Sequence, residues 1–296
     1  MIIIKIIGGL TSQMHKYALG RVLSLKHNVP LKLDLTWFED TKKTDTPWPY
    51  QLDYFYINAD IATKDEINKL KGNDKYITFA RRLKYYLGIN IYKKSYINTS
   101  FLSIDNFNKL GSSVYLDGEW SGFKYFENYQ NEIKKDFRYK IKISPEINNI
   151  LKILQNENSV SLHIRRGDFI SHPDATSFHA ICGLSYYENS IKYILNRVKS
   201  PVFYVFSDDI QWAKEHLNNG YNIKFIEGNT NYEDLLLMSE CKHNITANSG
   251  FSAWAGWLNS NIEKIVISPT KWVKDGALNE TIISSLQSDS IVFIEN

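Results

Sequence analysis

Apolar and polar positions follow two different rhythms along this chain. The run IIIKII (residues 2–7) is apolar with one lysine, and from about Ser12 to His27 apolar residues recur every three or four positions; a second short apolar run follows at Leu31 to Leu35. This order predicts strand, helix and strand, one βαβ start. From about residue 150 the pattern becomes regular again. SVSLHIR (159–165), VFYVF (202–206), IKFIE (223–227), HNITAN (243–248) and KIVIS (264–268) read as strands, while SYYENSIKYILNRVK and NYEDLLLMSECK between them read as helices. Such alternation predicts right-handed βαβ units and a parallel sheet covered on both faces. The hundred residues between the two regular regions are rich in Tyr, Trp and Lys, and TDTPWPYQLDYF (44–55) carries two prolines, so loop and short helix are expected there. The prediction is an α/β protein of two halves, residues 1–152 and 153–296, with no internal repeat.

One strand breaks the expected pattern. Strands buried on both faces read as unbroken apolar runs, as VFYVF does. In SVSLHIRRGDF, Val160, Leu162 and Ile164 point one way, and Ser161, His163 and Arg165 the other, with Arg166 and Asp168 following at the carboxyl end. A guanidinium is always ionised and costly to bury unpaired, so this row needs either internal partners, such as Asp168, or a bound anion. Ligands in open α/β sheets bind at the carboxyl ends of strands. Two further strand ends have the same ambiguity. Asn248, Ser249, Gly250 and Ser252 open a helix, where they serve as a plain N-cap, as a phosphate site, or as both. Asp208 or Asp209 caps the next helix or meets a ligand at the strand end.

Composition narrows the function classes. With 35 basic and 32 acidic residues the formal charge is +3, too mild to indicate nucleic acid but compatible with an anionic small ligand or with loose contact at a membrane surface. Cys182 and Cys241 cannot form a disulfide framework, and MIIIKIIGG lacks the features of a signal peptide, so a cytoplasmic location is expected. No apolar stretch is long enough to span a bilayer, so a membrane-linked substrate would be approached from the side, peripherally. There is no strict Asp-x-Asp, the nearest being Asp117-Gly-Glu119, and His and Cys lack zinc-ligand spacing; no metal and no cofactor are expected.

The segment HIRRGD (163–168) resembles the His-x-Arg-Arg-x-Asp motif of the α1,2-, α1,6- and protein O-fucosyltransferases. GGLTSQMHKYALGR, YQLDYF, LDGEWSGFKYF, YYENSIKYI, FSDDIQWAKEHL and MSECKHNITANSGFSAWAGWLN, in that order, make the chain similar to the bacterial α1,2-fucosyltransferases of glycosyltransferase family 11. The resemblance implies a GT-B architecture, two Rossmann-like domains facing across a cleft, with GDP-fucose held by the C-terminal one. It implies that Arg165 contacts the β-phosphate, that Arg166 supports it or the fucose, and that His163, Asp208, Asn248, Ser249, Gly250, Phe251 and Ser252 line the donor site. The implied activity is metal-independent transfer of L-fucose, with inversion, to a galactose-ended glycan. Transfer to another position or acceptor, and a non-catalytic GDP-sugar- or glycan-binding protein, are the alternatives.

The resemblance names no base. Asp168 and Glu119 are the carboxylate candidates, ahead of His15 and His179, and geometry decides between them. The acceptor is expected against the first half, where Trp37, Tyr54 and Trp120 offer faces to a sugar unless they belong to the core. Near the start, relatives read Gly-Gly-Leu-Gly-Asn-Gln-Met-Phe-Gln where this chain has Gly-Gly-Leu-Thr-Ser-Gln-Met-His-Lys. Gly9, Ser12 and Gln13 are expected on the donor side of this loop, although Ser12 is also a good N-cap.

Overall fold

The computed structural model describes residues 1–39, 48–72, 95–99, 102–118, 120, 122–217, 220–286 and 290–296. The chain divides into two compact units, Met1–Ile141 and Lys142–Asn296. The boundary predicted at 152/153 falls inside the helix Pro145–Asn156, which goes with the second unit. That helix carries its own start signals: Pro145 stands in its first turn, and the Ser144 hydroxyl accepts the Ile147 amide at 3.2 Å.

The first unit holds a parallel sheet of β1 (Ile2–Lys5), β2 (Leu31–Asp34), β3 (Asp60–Ile61), β4 (Tyr96–Ile97) and β5 (Val114–Leu116), in the order β3-β2-β1-β5-β4. β1 is central, which is why its isoleucines are continuous and buried. The helix Leu10–His27 crosses close over this sheet at Gly20, where an added Cβ would lie 2.7 Å from Leu31 Cδ1. It ends at Asn28 in the left-handed region, with φ 49°. β3, β4 and β5 lie in the stretch expected to be irregular; at two or three residues each they are too short to show a period.

The second unit is built on β6 (Asn158–Ile164), β7 (Pro201–Ser207), β8 (Ile223–Phe225), β9 (His243–Ile245), β10 (Val266–Pro269) and β11 (Ile291–Ile294), all parallel, in the order β11-β10-β9-β6-β7-β8. The chain builds outward from β6 through β7 to β8, then returns to the other side of β6 and proceeds to β11. This is the strand order of the Rossmann fold, and its switch point lies between β6 and β9. β11 is an addition to the predicted strands. One apolar layer packs Val160, Leu162, Ile164, Phe203 and Val205 against Tyr186, Tyr187, Ile191 and Ile194. Both units are therefore α/β with parallel sheets. Among the described residues no helix is long and apolar enough to cross a membrane.

Candidate active site

The polar row on β6 is largely satisfied from within. Ser159 donates to the Leu154 carbonyl at 2.8 Å, and Ser161 accepts from Asn244 Nδ2 at 2.7 Å. Asn244 is itself held by Asn259, whose Nδ2 donates to Asn244 Oδ1 at 2.8 Å. His163, the last of the row, differs. It is 5% exposed, its ring lies 5.7 Å from that of Phe251, and its Nδ1 is buried with no hydrogen-bond partner among the described residues. Burial, reinforced by the Arg165 charge, pushes the imidazole down to about 3, so it is neutral at physiological pH. At a strand end beside a switch point, this unpartnered buried nitrogen is left available to a water or a ligand.

Among the described residues, both arginines are braced by aspartates that follow β7. Arg165 Nη1 pairs with Asp208 Oδ2 at 3.0 Å, and Asp208 Oδ1 accepts the Arg166 amide at 2.8 Å. Arg166 Nε lies 3.3 Å from Asp209 Oδ2, and its guanidinium sits 4.0 Å from the centre of the Trp212 ring. Asp209 is the cap of the helix Ile210–His216, its Oδ1 accepting the Trp212 amide at 3.2 Å. The two aspartates left ambiguous by the sequence thus divide the work: Asp208 pairs with Arg165, and Asp209 caps. Gly167 makes room for this arrangement, since an added Cβ there would lie 2.9 Å from Asp208 Oδ2.

The end of β9 delivers the start of the helix Gly250–Leu258. Ser249 is the N-cap, accepting the Phe251 amide at 3.3 Å. Ser252 accepts the Ala247 amide at 3.2 Å and is buried, so its hydroxyl braces the turn. Asn248 is 2% exposed. Its amide donates to the Ala180 and Trp272 carbonyls, and its oxygen receives the Cys182 thiol at 3.5 Å, an internal tie in place of a ligand-facing side chain. What this end offers a ligand is the partial positive charge of a helix N-terminus, with Phe251 beside His163.

The N-terminal loop differs more from expectation. Gly8 adopts φ +75°, and Gly9, not Ser12, is the N-cap; Ser12 is exposed within the first turn. Gln13 is fully buried and clamps the loop, with Nε2 donating to the Gly8 and Pro49 carbonyls at 2.8 Å each and Oε1 accepting the Gln51 amide at 2.8 Å. Its expected ligand-facing side chain is committed to the fold. His15 packs on Phe123 and Phe126, and burial brings it down to about 4. Lys16 donates to the Gly118 carbonyl at 2.8 Å.

Of the aromatics, Trp37 stacks edge-on with Phe38, and Tyr54 is half-buried in the turn Leu52–Tyr54. Trp120 is 4% exposed and donates to the Thr99 carbonyl, which makes it a core residue and corrects its expected role as an open sugar platform. Glu119 and the Asp168 side chain lie outside the described residues. His179 is stacked on Phe169, ring centres 3.9 Å apart.

The structure therefore brings His163, Arg165, Arg166, Asp208, Ser249, Gly250 and Phe251 to one edge of the second unit's sheet. Gly9, Ser12, Gln13 and the three aromatics belong to the first unit. Two further groups, the first of them against Arg166, are absent from the residues singled out by sequence. Trp212 follows a capping aspartate by three positions, a spacing that turns it back toward the strand end. Asp234, at the start of the helix Asn231–Glu240, accepts from Asn229 at 3.0 Å and is raised to about 6 by burial. Among the described residues no group of three or more His, Cys, Asp or Glu side chains converges on a point.

Comparison with known proteins bears on this arrangement. The family model described as Glycosyl transferase family 11 matches residues 67–284. An Escherichia coli protein named alpha-1,2-colitosyltransferase is 33% identical over 94% of this chain and 94% of its own length. The O-antigen biosynthesis glycosyltransferase WbnK of Escherichia coli is 34% identical over 90% of this chain and 92% of its own. Galactoside alpha-(1,2)-fucosyltransferase 2 of Bos taurus is 26% identical over 50% of this chain and 46% of its own. A crystal structure of the fucosyltransferase NodZ from Bradyrhizobium superposes with a TM-score of 0.47 at 11% identity, covering 86% of this chain and 92% of that one.

Proposed function

The chain belongs to glycosyl transferase family 11, and on that premise we propose that it transfers L-fucose from GDP-β-L-fucose to the 2-hydroxyl of a galactose-ended glycan, with inversion and without a metal. The observation that carries this reading is the pair Arg165 and Arg166 at the β6 end, next to the Gly250–Leu258 helix start at the switch point of a Rossmann-order sheet. Two cationic forks and a helix N-terminus suit a diphosphate. The first unit would then hold the acceptor.

In the proposed step the acceptor hydroxyl attacks C1 of the sugar and its proton passes to a base. The C1–O bond breaks with its electron pair leaving on the β-phosphate oxygen. Negative charge grows on departing GDP, and guanidinium groups already fixed in place stabilise it more in the transition state than in the ground state. They take the place a divalent ion would otherwise fill. The α1,2 linkage is favoured by the names of the colitosyltransferase and of the Bos taurus fucosyltransferase, and a role in surface polysaccharide assembly by that of WbnK.

The test is incubation with GDP-fucose and a β-galactoside, with GDP release measured and the product linkage read by NMR. A 2-substituted galactose, formed equally in the presence of a chelator, is the expected result. Absence of turnover with any galactoside, or recovery only on adding a divalent ion, would count against the reading. A second donor merits a parallel arm because a relative spanning almost the whole chain is named for colitose, a 3-deoxy form of L-fucose. Faster turnover with the GDP-activated 3-deoxy sugar than with GDP-fucose would reassign the donor while leaving the reaction class unchanged.

A further inference from the structure

Arg166 is gripped on two sides by residues of a single helix start. Its guanidinium lies 4.0 Å from the centre of the Trp212 indole, and its Nε is 3.3 Å from Asp209 Oδ2. Asp209 also accepts the Trp212 amide at 3.2 Å, so the residue holding the edge of the guanidinium and the residue supporting its face move as one block. The backbone of Arg166 is pinned separately, its amide donating to Asp208 at 2.8 Å. Trp212 is only partly buried, at the margin of the apolar layer.

We propose that Trp212 is a positioning residue for Arg166: it holds the guanidinium plane in one orientation, with Nε turned to Asp209 and the terminal Nη groups left to meet the diphosphate-sugar donor. This rests on the donor reading given above. Among the described residues the Nη groups of Arg166 have no partner, as this division of the fork requires. An arginine has many rotamers, and an anion that must first order it binds more weakly than one that meets it already ordered. A planar guanidinium stacks on an indole face far better than on an aliphatic side chain, because the ring's negative face attracts the cation. Trp212 would thus act on donor affinity and on leaving-group stabilisation without touching the donor.

The experiment measures GDP affinity by calorimetry, and kcat and KM for the donor, in the wild type, W212Y, W212L, R166A and the double variant W212L/R166A. W212L is expected to weaken GDP binding roughly 3- to 10-fold. W212Y should stay within about 3-fold of the wild type, because a ring face remains. In the R166A background, W212L should cost nothing further, a non-additivity that a merely structural role would not produce. Unchanged affinity in W212L, or losses that multiply in the double variant, would overturn the proposal. If W212L does not fold, W212Y and W212M decide: near-wild-type affinity in W212Y with a roughly 3- to 10-fold loss in W212M supports the role, and equal affinity in the wild type, W212Y and W212M refutes it. A wild type that binds no GDP would instead remove the donor reading itself, a result distinguishable from the indifference of GDP binding to residue 212.

Discussion

Arg165 and Asp208 reach toward each other from neighbouring strand ends and pair at 3.0 Å, while the second oxygen of the same carboxylate accepts the Arg166 amide at 2.8 Å. One aspartate thus fixes the side chain of the first arginine and the backbone of the second. Both partners are partly exposed, so the pair contributes little to stability and its value lies in orientation.

Arg165→Ala is therefore expected to abolish most transfer and leave the fold. Removing one preorganised charged donor from a site of developing negative charge costs on the order of 100- to 1,000-fold in turnover, whereas a partly exposed pair is worth about 1 kcal/mol or less in stability. Turnover assays and a thermal melt check both halves. Near-normal turnover would remove Arg165 from the donor site.

Gly167→Ala tests the brace itself. Its Cβ would stand 2.9 Å from Asp208 Oδ2 and force the carboxylate away from Arg165. Transfer should fall roughly 10-fold, the equivalent of about 1.4 kcal/mol in the barrier. In an Asp208→Ala background the same glycine substitution should have no further effect. Equal loss in both backgrounds would show that Gly167 matters for another reason.

Gln13 and Ser12, adjacent in sequence, should behave oppositely. Gln13→Ala breaks three hydrogen bonds, one buried and two partly buried, and leaves backbone groups unsatisfied, a cost of about 2–4 kcal/mol. Ser12→Ala, on an exposed first turn, should change stability by no more than about 0.5 kcal/mol. Urea unfolding of the two variants measures both. A stable Gln13→Ala would mean that the clamp is not needed to hold the loop.

Stability should decline on the acid side because of His163. Its imidazole titrates at about 3 in the folded chain against 6.5 unfolded, so between these values the unfolded chain carries a proton that the folded chain does not. Folding stability therefore rises with pH through that window and is lost as pH falls, by up to about 1.4 kcal/mol per pH unit from this residue, with no dependence from it above about 6.5. His163→Gln should flatten the slope between pH 4 and 6 by about one proton. An unchanged slope in denaturant titrations at several pH values would sink the assignment of a buried neutral imidazole.

The sequence by itself determined the class of fold, the central strands and the row of chemistry on β6. Alternation of Val160, Leu162 and Ile164 with Ser161, His163 and Arg165 is a property of neighbouring positions, and strand geometry turns it directly into two faces. The helix periods after β6 and the helix start after Asn248 are local in the same sense. Only the tertiary structure decided who partners whom. Arg165 and Asp208 are 43 positions apart and meet because β6 and β7 pair in a register that sets Ile164 beside Ser207. Gln13, Asn248 and Trp120 have the side chains a sugar-nucleotide or glycan site would use, yet carbonyls and amides from distant segments take their hydrogen bonds. A polar side chain reads the same in sequence whether it clamps a loop or faces a ligand. The difference lies in the donors and acceptors that folding brings within about 3 Å of it.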